Sequence, residues 1–205
     1  MRYLLFTCCL LSYAKTTEPT QEIPHLKKSV EVLFTPQDNC TRAIIELINN
    51  TNHSIKIHAY AFTSDEIIEA LERAAKRGVK IRILVDKTYI NKIGMNRLKG
   101  MKGVKSWNDS KPRIAHNKII ICKNKKDISL FDTAVLTGSF NFSRSAQHCN
   151  AENIVIFKNH KRIYSKYNAN WKYRKNLKET GLSSFDPNMH AASKISRRSI
   201  NKITR

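Results

Sequence analysis

Short apolar runs alternate with amphipathic stretches along the first half of the chain. Apolar residues alternating with polar ones, or running together, predict strands at 30–34, 54–62 and 79–85. Apolar residues at helical spacing predict a helix capped by Asp38 or Asn39, and a second helix that begins at the Thr63–Glu66 capping box and ends at Gly78. This half is therefore predicted to be a strand-helix repeat.

The second half continues the alternation with shorter elements. Strands are predicted at 104–107, 119–122, 134–137 and 153–157, and helices at 89–102, directly after Asn141 and at 161–178. The last helix carries Ile163, Tyr167 and Trp171 at every fourth position, which favours core packing over base stacking. Such alternation predicts an α/β domain with a mixed β-sheet sandwiched by helices on both faces.

Polar residues interrupt the apolar pattern at the ends of three neighbouring strands. His116 and Lys118 lie in one apolar run, Ser139 and Asn141 end the next, and Glu152 precedes the third. Because side chains alternate faces along a strand, His116 and Lys118 are predicted to share a face, as are Ser139 and Asn141. Phosphodiester hydrolysis needs such a set: a nucleophile, donors for growing negative charge, and a carboxylate that orients an imidazole.

The spacing resembles the half-site of the phospholipase D superfamily, which is H-x-K-x4-D, then G-S-x-N, then a glutamate. The matching residues are His116, Lys118, Gly138, Ser139, Asn141 and Glu152. The resemblance implies that His116, Lys118, Asn141 and Glu152 are catalytic, and that Lys118, Ser139 and Asn141 bind substrate phosphate. It also implies a phosphohistidine at His116, with no metal and no cofactor. It is strongest to short bacterial members, which include a secreted endonuclease and compact phospholipase D proteins.

One position departs from the family pattern. Lys123 stands where the motif has its aspartate, and the stretch from Lys123 to Asp132 is predicted to be a lengthened hairpin turn. Asp127 and Asp132 are the candidates for replacing the missing carboxylate.

The chain carries only one half-site. His25-Leu-Lys27 repeats the H-x-K spacing without a following Gly-Ser-x-Asn, and His160-Lys161 has the wrong spacing. In the family, the histidine of a second half-site protonates the leaving oxygen. The resemblance therefore implies a homodimer with the active site at its interface, where His116 of one copy faces the partner's His116 across a two-fold axis.

The charge of the chain is strongly positive. Lys and Arg number 37 against 16 acids, a formal net charge of +21 over 205 residues. Twelve basic residues and one acid fall between Lys87 and Lys126, and twelve against two between His160 and Arg205. A positive surface attracts polyanions, so the expected substrate is DNA, RNA or an anionic phospholipid. Endonuclease and phospholipase D remain alternatives, and a non-catalytic polyanion-binding protein is a third.

The two ends of the chain differ in composition from its middle. Residues 1–14 are predicted to be a signal peptide, with an apolar run at 3–13 too short to span a bilayer, which predicts a secreted or periplasmic protein. An uncleaved membrane anchor is the alternative. A polar linker is predicted at 15–29, the catalytic domain at 30–180, and a basic, disordered tail at 181–205. Cys40, Cys122 and Cys149 remain after the leader; a Cys40–Cys149 disulfide is conceivable, and Cys122 is predicted to lie in the core.

Overall fold

The computed structural model describes residues 27–90, 93–125 and 129–180. The predicted signal peptide, nearly all of the linker and the basic tail lie outside these residues, as does Asp127. The domain boundaries and the cellular location therefore stay predictions.

Seven strands and five helices follow one another in the predicted order. The strands are β1 (Ser29–Phe34), β2 (Ser54–Ala59), β3 (Lys80–Asp86), β4 (Val104–Asp109), β5 (Lys118–Lys123), β6 (Thr133–Gly138) and β7 (Asn153–Lys158). The helices are α1 (Cys40–Asn49), α2 (Asp65–Lys76), α3 (Ile93–Leu98), α4 (Arg144–His148) and α5 (Lys161–Thr180). Among the helices that the structure describes, none is both long and apolar enough to cross a bilayer.

All seven strands form one mixed sheet, in the order β1-β7-β6-β5-β2-β3-β4. Strands β2, β3 and β4 are parallel, and every other neighbouring pair is antiparallel. Helical crossovers join β2 to β3 and β3 to β4, whereas shorter connections join β5 to β6 and β6 to β7. The predicted fold class is confirmed.

Helices cover both faces of the sheet. One face packs against α1 and α2 in a large apolar core that includes Ile44, Ile57 and Ile120. The other face carries a smaller core under α5, built around Trp171 with Ile163 and Tyr167 against it. The Trp171 indole N–H donates to the carbonyl of Ile57 at 2.8 Å. The predicted packing role of the α5 aromatic residues is therefore confirmed.

A buried ionic group fixes the far end of α5 to the sheet. Arg174 donates two hydrogen bonds to Asp109, at 2.7 and 3.0 Å, and His58 Nε2 lies 3.0 Å from the same carboxylate. Burial alone raises the pKa of Asp109, but the close His58 and the hydrogen-bonded Arg174 outweigh burial and hold it below its ordinary value. The carboxylate therefore stays ionised and ties β4 to α5.

Several predicted boundaries shift by a few residues. Asn39, not Asp38, caps α1 by accepting from Arg42 N at 2.8 Å. The cap of α2 is Ser64, so the predicted capping box at Thr63 is wrong by one residue. Strand β2 ends at Ala59 instead of Phe62 because β5, its neighbour, begins at the paired residue Lys118. The helix predicted at 89–102 is shorter, and α3 spans Ile93–Leu98.

The lengthened turn between β5 and β6 is confirmed by the pairing of Lys123 with Thr133. Its support comes from Asn124, whose buried amide accepts from Asn52 N at 2.7 Å and donates to the carbonyls of Asn50 and Phe131 at 3.0 and 2.8 Å. The neutral Asn124 therefore stabilises the turn next to the position where the family has aspartate.

All three cysteines in the described part of the chain are free thiols. Cys122 lies fully buried in β5, and burial raises its pKa to about 12, which confirms the predicted core role. Cys40 is buried and Cys149 exposed, and no disulfide joins them.

Candidate active site

The register of the central strands gathers the predicted site at one end of the sheet. Lys118, which opens β5, pairs with Ala59 at the end of β2. Gly138, which closes β6, pairs with Ile154 at the start of β7. Antiparallel pairing of β5 with β6 and of β6 with β7 brings these ends together, although they are far apart in sequence. The three polar clusters of the motif thus meet at the same edge.

His116 precedes β5 instead of lying within it, so the predicted shared strand is wrong at that residue. The two residues are nevertheless joined, because the Lys118 ammonium donates to the His116 carbonyl at 3.0 Å. Tyr60, which sequence analysis missed, packs against both: its ring centroid lies 4.7 Å from that of His116 and 5.3 Å from Lys118 Nζ. Its position directly after a buried strand is the signal that would have marked it.

The ammonium group of Lys118 is buried. Only 4% of its surface is exposed. Burial lowers the pKa of Lys118, and the nearby Glu152 carboxylate opposes that shift. A poorly hydrated ammonium beside the exposed imidazole of His116 is a strong donor for a phosphate oxygen.

Asp86 holds the segment that carries His116. Its buried carboxylate accepts from Ala115 N at 2.7 Å, from Thr88 N at 2.9 Å and from the Thr88 hydroxyl at 2.7 Å. Burial alone raises the pKa of Asp86, but these hydrogen bonds together outweigh it and lower the pKa. Because Ala115 bonds to this side chain rather than to a neighbouring strand, the chain reaches His116 outside the sheet ladder.

We expect Asp86→Ala to lower the free energy of unfolding by roughly 2–4 kcal/mol, because buried backbone donors lose their acceptor. We also expect the rate of hydrolysis to fall about tenfold or more as His116 loses its position. Denaturant unfolding and initial rates measure the two effects. Glu66→Ala is the control, since that exposed carboxylate on α2 makes no hydrogen bond or ion pair with a residue that the structure describes.

The contribution of Asp86 to stability depends on pH. The folded pKa of Asp86 is lowered, so its contribution to stability is complete above the ordinary carboxyl pKa and is lost as the pH falls below about 4. The loss of stability between about pH 5 and pH 3 is therefore expected to be smaller in Asp86→Ala. Identical acid profiles for the variant and the wild type would contradict this role.

Gly138 and Ser139 join the end of β6 to the start of β7. A Cβ at Gly138 would lie 2.1 Å from the Asn153 carbonyl oxygen, so no other residue fits. That carbonyl accepts from the amides of Ser139 and Phe140 at 3.1 and 3.3 Å, and this turns the chain out of β6. Strand β6 therefore ends at Gly138, so Ser139 and Asn141 lie outside the strand on which their predicted shared face depended.

The Ser139 hydroxyl is exposed and already engaged. It accepts from the backbone N–H of Asn153 at 3.1 Å and from its side-chain amide at 3.4 Å. A substrate oxygen that took a hydrogen bond from Ser139 would leave these two contacts intact, because a hydroxyl both donates and accepts.

Asn141 is held between two buried anchors. Phe140 and Phe142 are both fully buried, and Phe142 bridges to Phe62 beyond the end of β2. The Asn141 side-chain oxygen is shielded from solvent and has no hydrogen-bond partner among the residues that the structure describes. This places a fixed amide at the same end of the sheet as His116.

Glu152 is fixed by Thr35 and Asn150. Its backbone N–H donates to the Thr35 hydroxyl at 2.9 Å, its carbonyl accepts from Thr35 N at 2.9 Å, and its carboxylate accepts from the Asn150 amide at 3.0 Å. Within one chain its electrostatic effect falls on Lys118. The predicted contact between Glu152 and an imidazole stays a prediction. Across residues 27–90, 93–125 and 129–180, no three His, Cys, Asp or Glu residues are grouped so as to hold a metal ion.

Comparison with known sequences identifies one family over most of the chain. The family described as cardiolipin synthase, PLD-like domain, matches residues 44–175. Phospholipase D of Rickettsia prowazekii is 38% identical over 151 residues, which are 73% of this chain and 69% of that protein. Mitochondrial cardiolipin hydrolase of Xenopus tropicalis is 24% identical over 164 residues, covering 72% of this chain and 73% of that protein.

Solved structures give the same result for the fold. Nuc from Salmonella typhimurium, a phospholipase D family member, superposes with a TM-score of 0.64 and 30% identity over 73% of this chain and 95% of its own. NucT from Helicobacter pylori superposes with a TM-score of 0.63 over 73% of this chain and 97% of its own, and at 21% identity it supports the fold alone.

Proposed function

The chain belongs to the phospholipase D superfamily and is a phosphodiesterase, either a phospholipase D or a Nuc-like endonuclease; on that premise we propose that it works without a metal, through a phosphohistidine on His116, and that its substrate is phospholipid. The observation that carries the chemistry is the contact between the exposed His116 and the buried Lys118, both against Tyr60.

The first chemical step is displacement at phosphorus. A neutral His116 imidazole attacks the phosphorus, the P–N bond forms, and the bond to the leaving oxygen breaks. Lys118, Asn141 and the Ser139 hydroxyl stabilise the charge on the non-bridging oxygens. A protonated imidazole gives its proton to the leaving oxygen, which departs as an alcohol.

The second step reverses these roles. The imidazole that gave up its proton takes one from water, the resulting hydroxide attacks phosphorus, and the P–N bond breaks. The net reaction consumes a phosphodiester and water and releases an alcohol and a phosphomonoester. Lysine and asparagine supply the electrostatic stabilisation, so the route needs no metal ion.

The acid in the first step is assigned to a second copy of the chain. We place the partner's His116 opposite His116 across a two-fold axis, because one chain carries a single half-site. The exposed position of His116 at the end of the sheet leaves it accessible to such a partner.

Two exposed apolar side chains favour phospholipid as the substrate. Phe34 is 53% exposed at the end of β1 and pairs in register with Asn153. Ile114 is 48% exposed and lies two residues before His116. Apolar side chains that flank a phosphate site at its open end suit entry into a lipid surface. The relatives named phospholipase D agree with this choice.

The endonuclease is the second candidate, and the charge supports it. Lys87 and Arg113 are exposed beside the segment that carries His116, within a stretch of twelve basic residues. Such cations suit a nucleic-acid backbone as well as an anionic membrane.

The substrate is tested with the full chain in EDTA against phosphatidylcholine vesicles, dispersed short-chain phosphatidylcholine, and single- and double-stranded DNA. We expect hydrolysis of both lipid forms. Changing both Phe34 and Ile114 to serine is expected to reduce turnover of vesicles roughly tenfold and of dispersed lipid hardly at all, because only vesicles require insertion.

Leu130→Ser is the matched control, because Leu130 is 72% exposed but follows the opposite end of β5. It is expected to change neither rate. Cleavage of DNA without lipid hydrolysis would replace the phospholipase by the endonuclease. Loss of every activity in EDTA would contradict the proposed mechanism.

A further inference from the structure

An open cavity of about 770 Å³ lies at the end of the sheet opposite His116. It is bordered by the last residue of β5, the first of β6 and the first turn of α5, so the length of a strand, roughly 17 Å, separates it from Lys118. The cavity is lined by Lys28, Lys123, Asn124, Asp132, Thr133, Asn159, His160, Lys161, Arg162 and Ile163. Its volume is in the range of small-molecule sites.

Positive charge converges on this cavity. Lys28, Lys123, Lys161 and Arg162 line it against the single carboxylate of Asp132. None of these four cations forms an ion pair with any residue that the structure describes. Burial lowers the pKa of the nearby His53, and so do the charges of Lys80, Lys123 and Lys125. The positive field therefore extends to His53. The charges are therefore not neutralised within the described chain.

The charges in the first turn of α5 are unfavourable for the helix when no anion is bound. It holds Lys161 and Arg162 and no acidic residue. The amino terminus of a helix carries a partial positive charge, so two cations there destabilise a helix of 20 residues. Bound negative charge would reverse the sign of that interaction.

The rim of the cavity is rigidly built around Asn159. This residue has a left-handed backbone, with φ of 62°. Its side chain accepts from Asp132 N at 2.8 Å and donates to the Lys27 carbonyl at 3.1 Å, while its own N–H donates to the Thr133 carbonyl at 2.7 Å. Asn159 thus fixes the approach to β1, the start of β6 and the first turn of α5 relative to one another.

We propose that this cavity binds the phosphate group of a phosphomonoester, separately from the site at His116. A terminal phosphate is a dianion with three free oxygens, so it matches several cations and the amides of the α5 first turn at once. A phosphodiester offers only two such oxygens and one charge. The inference does not depend on the proposed mechanism at His116.

The test is titration of the full chain with inorganic phosphate and with glycerol 3-phosphate, followed by backbone amide NMR and calorimetry. We expect shifts of amides in 159–164 and at Thr133. Removing both cations of the first turn, Lys161→Ala with Arg162→Ala, is expected to weaken binding at these amides about tenfold or more.

The control removes the same charge from the same helix. Lys166 and Lys172 are exposed on α5 outside the cavity, so Lys166→Ala with Lys172→Ala is expected to change the affinity less than about twofold. Without phosphate, the Lys161 and Arg162 variant is expected to melt at a higher temperature than the wild type, whereas the control pair is not. Phosphate is expected to raise the melting temperature of the wild type and of the control.

Vesicles identify the source of the phosphate. Stronger binding to phosphatidylcholine vesicles that contain phosphatidic acid, lost in the Lys161 and Arg162 variant, assigns the site to a lipid headgroup. An effect confined to glycerol 3-phosphate and inorganic phosphate assigns it to a soluble phosphomonoester. Equal losses in the two double variants, or phosphate shifts only around His116, would overturn the proposal.

Discussion

Asparagine in place of His116 is expected to reduce phosphodiester hydrolysis by roughly 10⁴-fold or more, because the displacement at phosphorus loses both its nucleophile and its acid. The free energy of unfolding should stay within about 0.5 kcal/mol of the wild type, since the His116 side chain is exposed. Initial rates and denaturant unfolding measure the two quantities. A variant that retains substantial turnover would show that the phosphohistidine does not form on this residue.

The same variant tests whether two chains share one site. When wild-type and His116→Asn chains exchange subunits at equal amounts, about a quarter of the dimers carry two wild-type copies. Activity should then fall to about a quarter of that of an all-wild-type sample at the same total concentration. Activity of about one half would mean that each chain works alone. The mixing experiment therefore tests the shared active site independently of the phosphohistidine.

Gly138→Ala is expected to lower the free energy of unfolding by roughly 3–5 kcal/mol, because its new methyl group meets the Asn153 carbonyl oxygen at 2.1 Å. Both colliding partners are backbone, so relief requires β6 and β7 to separate at the site. Hydrolysis should fall with stability, since Ser139 is bonded to Asn153 at that point. Urea unfolding and initial rates measure the change.

Gly100→Ala is the matched control. Gly100 has φ of 85° and no atom within 4 Å of an added Cβ, so it carries the strain of left-handed backbone without a collision. We expect a loss of about 1–2 kcal/mol there and no loss of turnover. Equal losses at the two positions would mean that the close approach of the strands at Gly138 contributes nothing beyond local conformation.

The order and type of all twelve elements could be predicted because burial imposes its period on the sequence. Strands such as β3, buried on both faces, show as unbroken apolar runs, and α2 shows as an amphipathic stripe. The element ends were less predictable because partners far away in sequence decide them. Strand β2 stops where Lys118 begins β5, and nothing near Ala59 in the sequence records that limit.

The motif residues of the site were predictable from spacing, whereas their supports were not. Asp86 reaches Ala115 across 29 positions, and Thr35 reaches Glu152 across 117. Tyr60 contacts His116 only because β2 and β5 are neighbours in the sheet. Asn124 supports the turn beside the missing aspartate through hydrogen bonds to residues that lie before β2. Such contacts depend on the tertiary fold and leave no local pattern.

Insertions and deletions have different consequences at different positions of the β5–β6 hairpin. One residue gained inside β5 would transfer Lys118 to the opposite side of the sheet and so destroy the site. Residues gained or lost between Lys125 and Asp132 leave that register unchanged, because they lie outside the ladder that pairs 119–123 with 133–137. The loop can therefore change in length without moving Lys118 from the face that forms the active site.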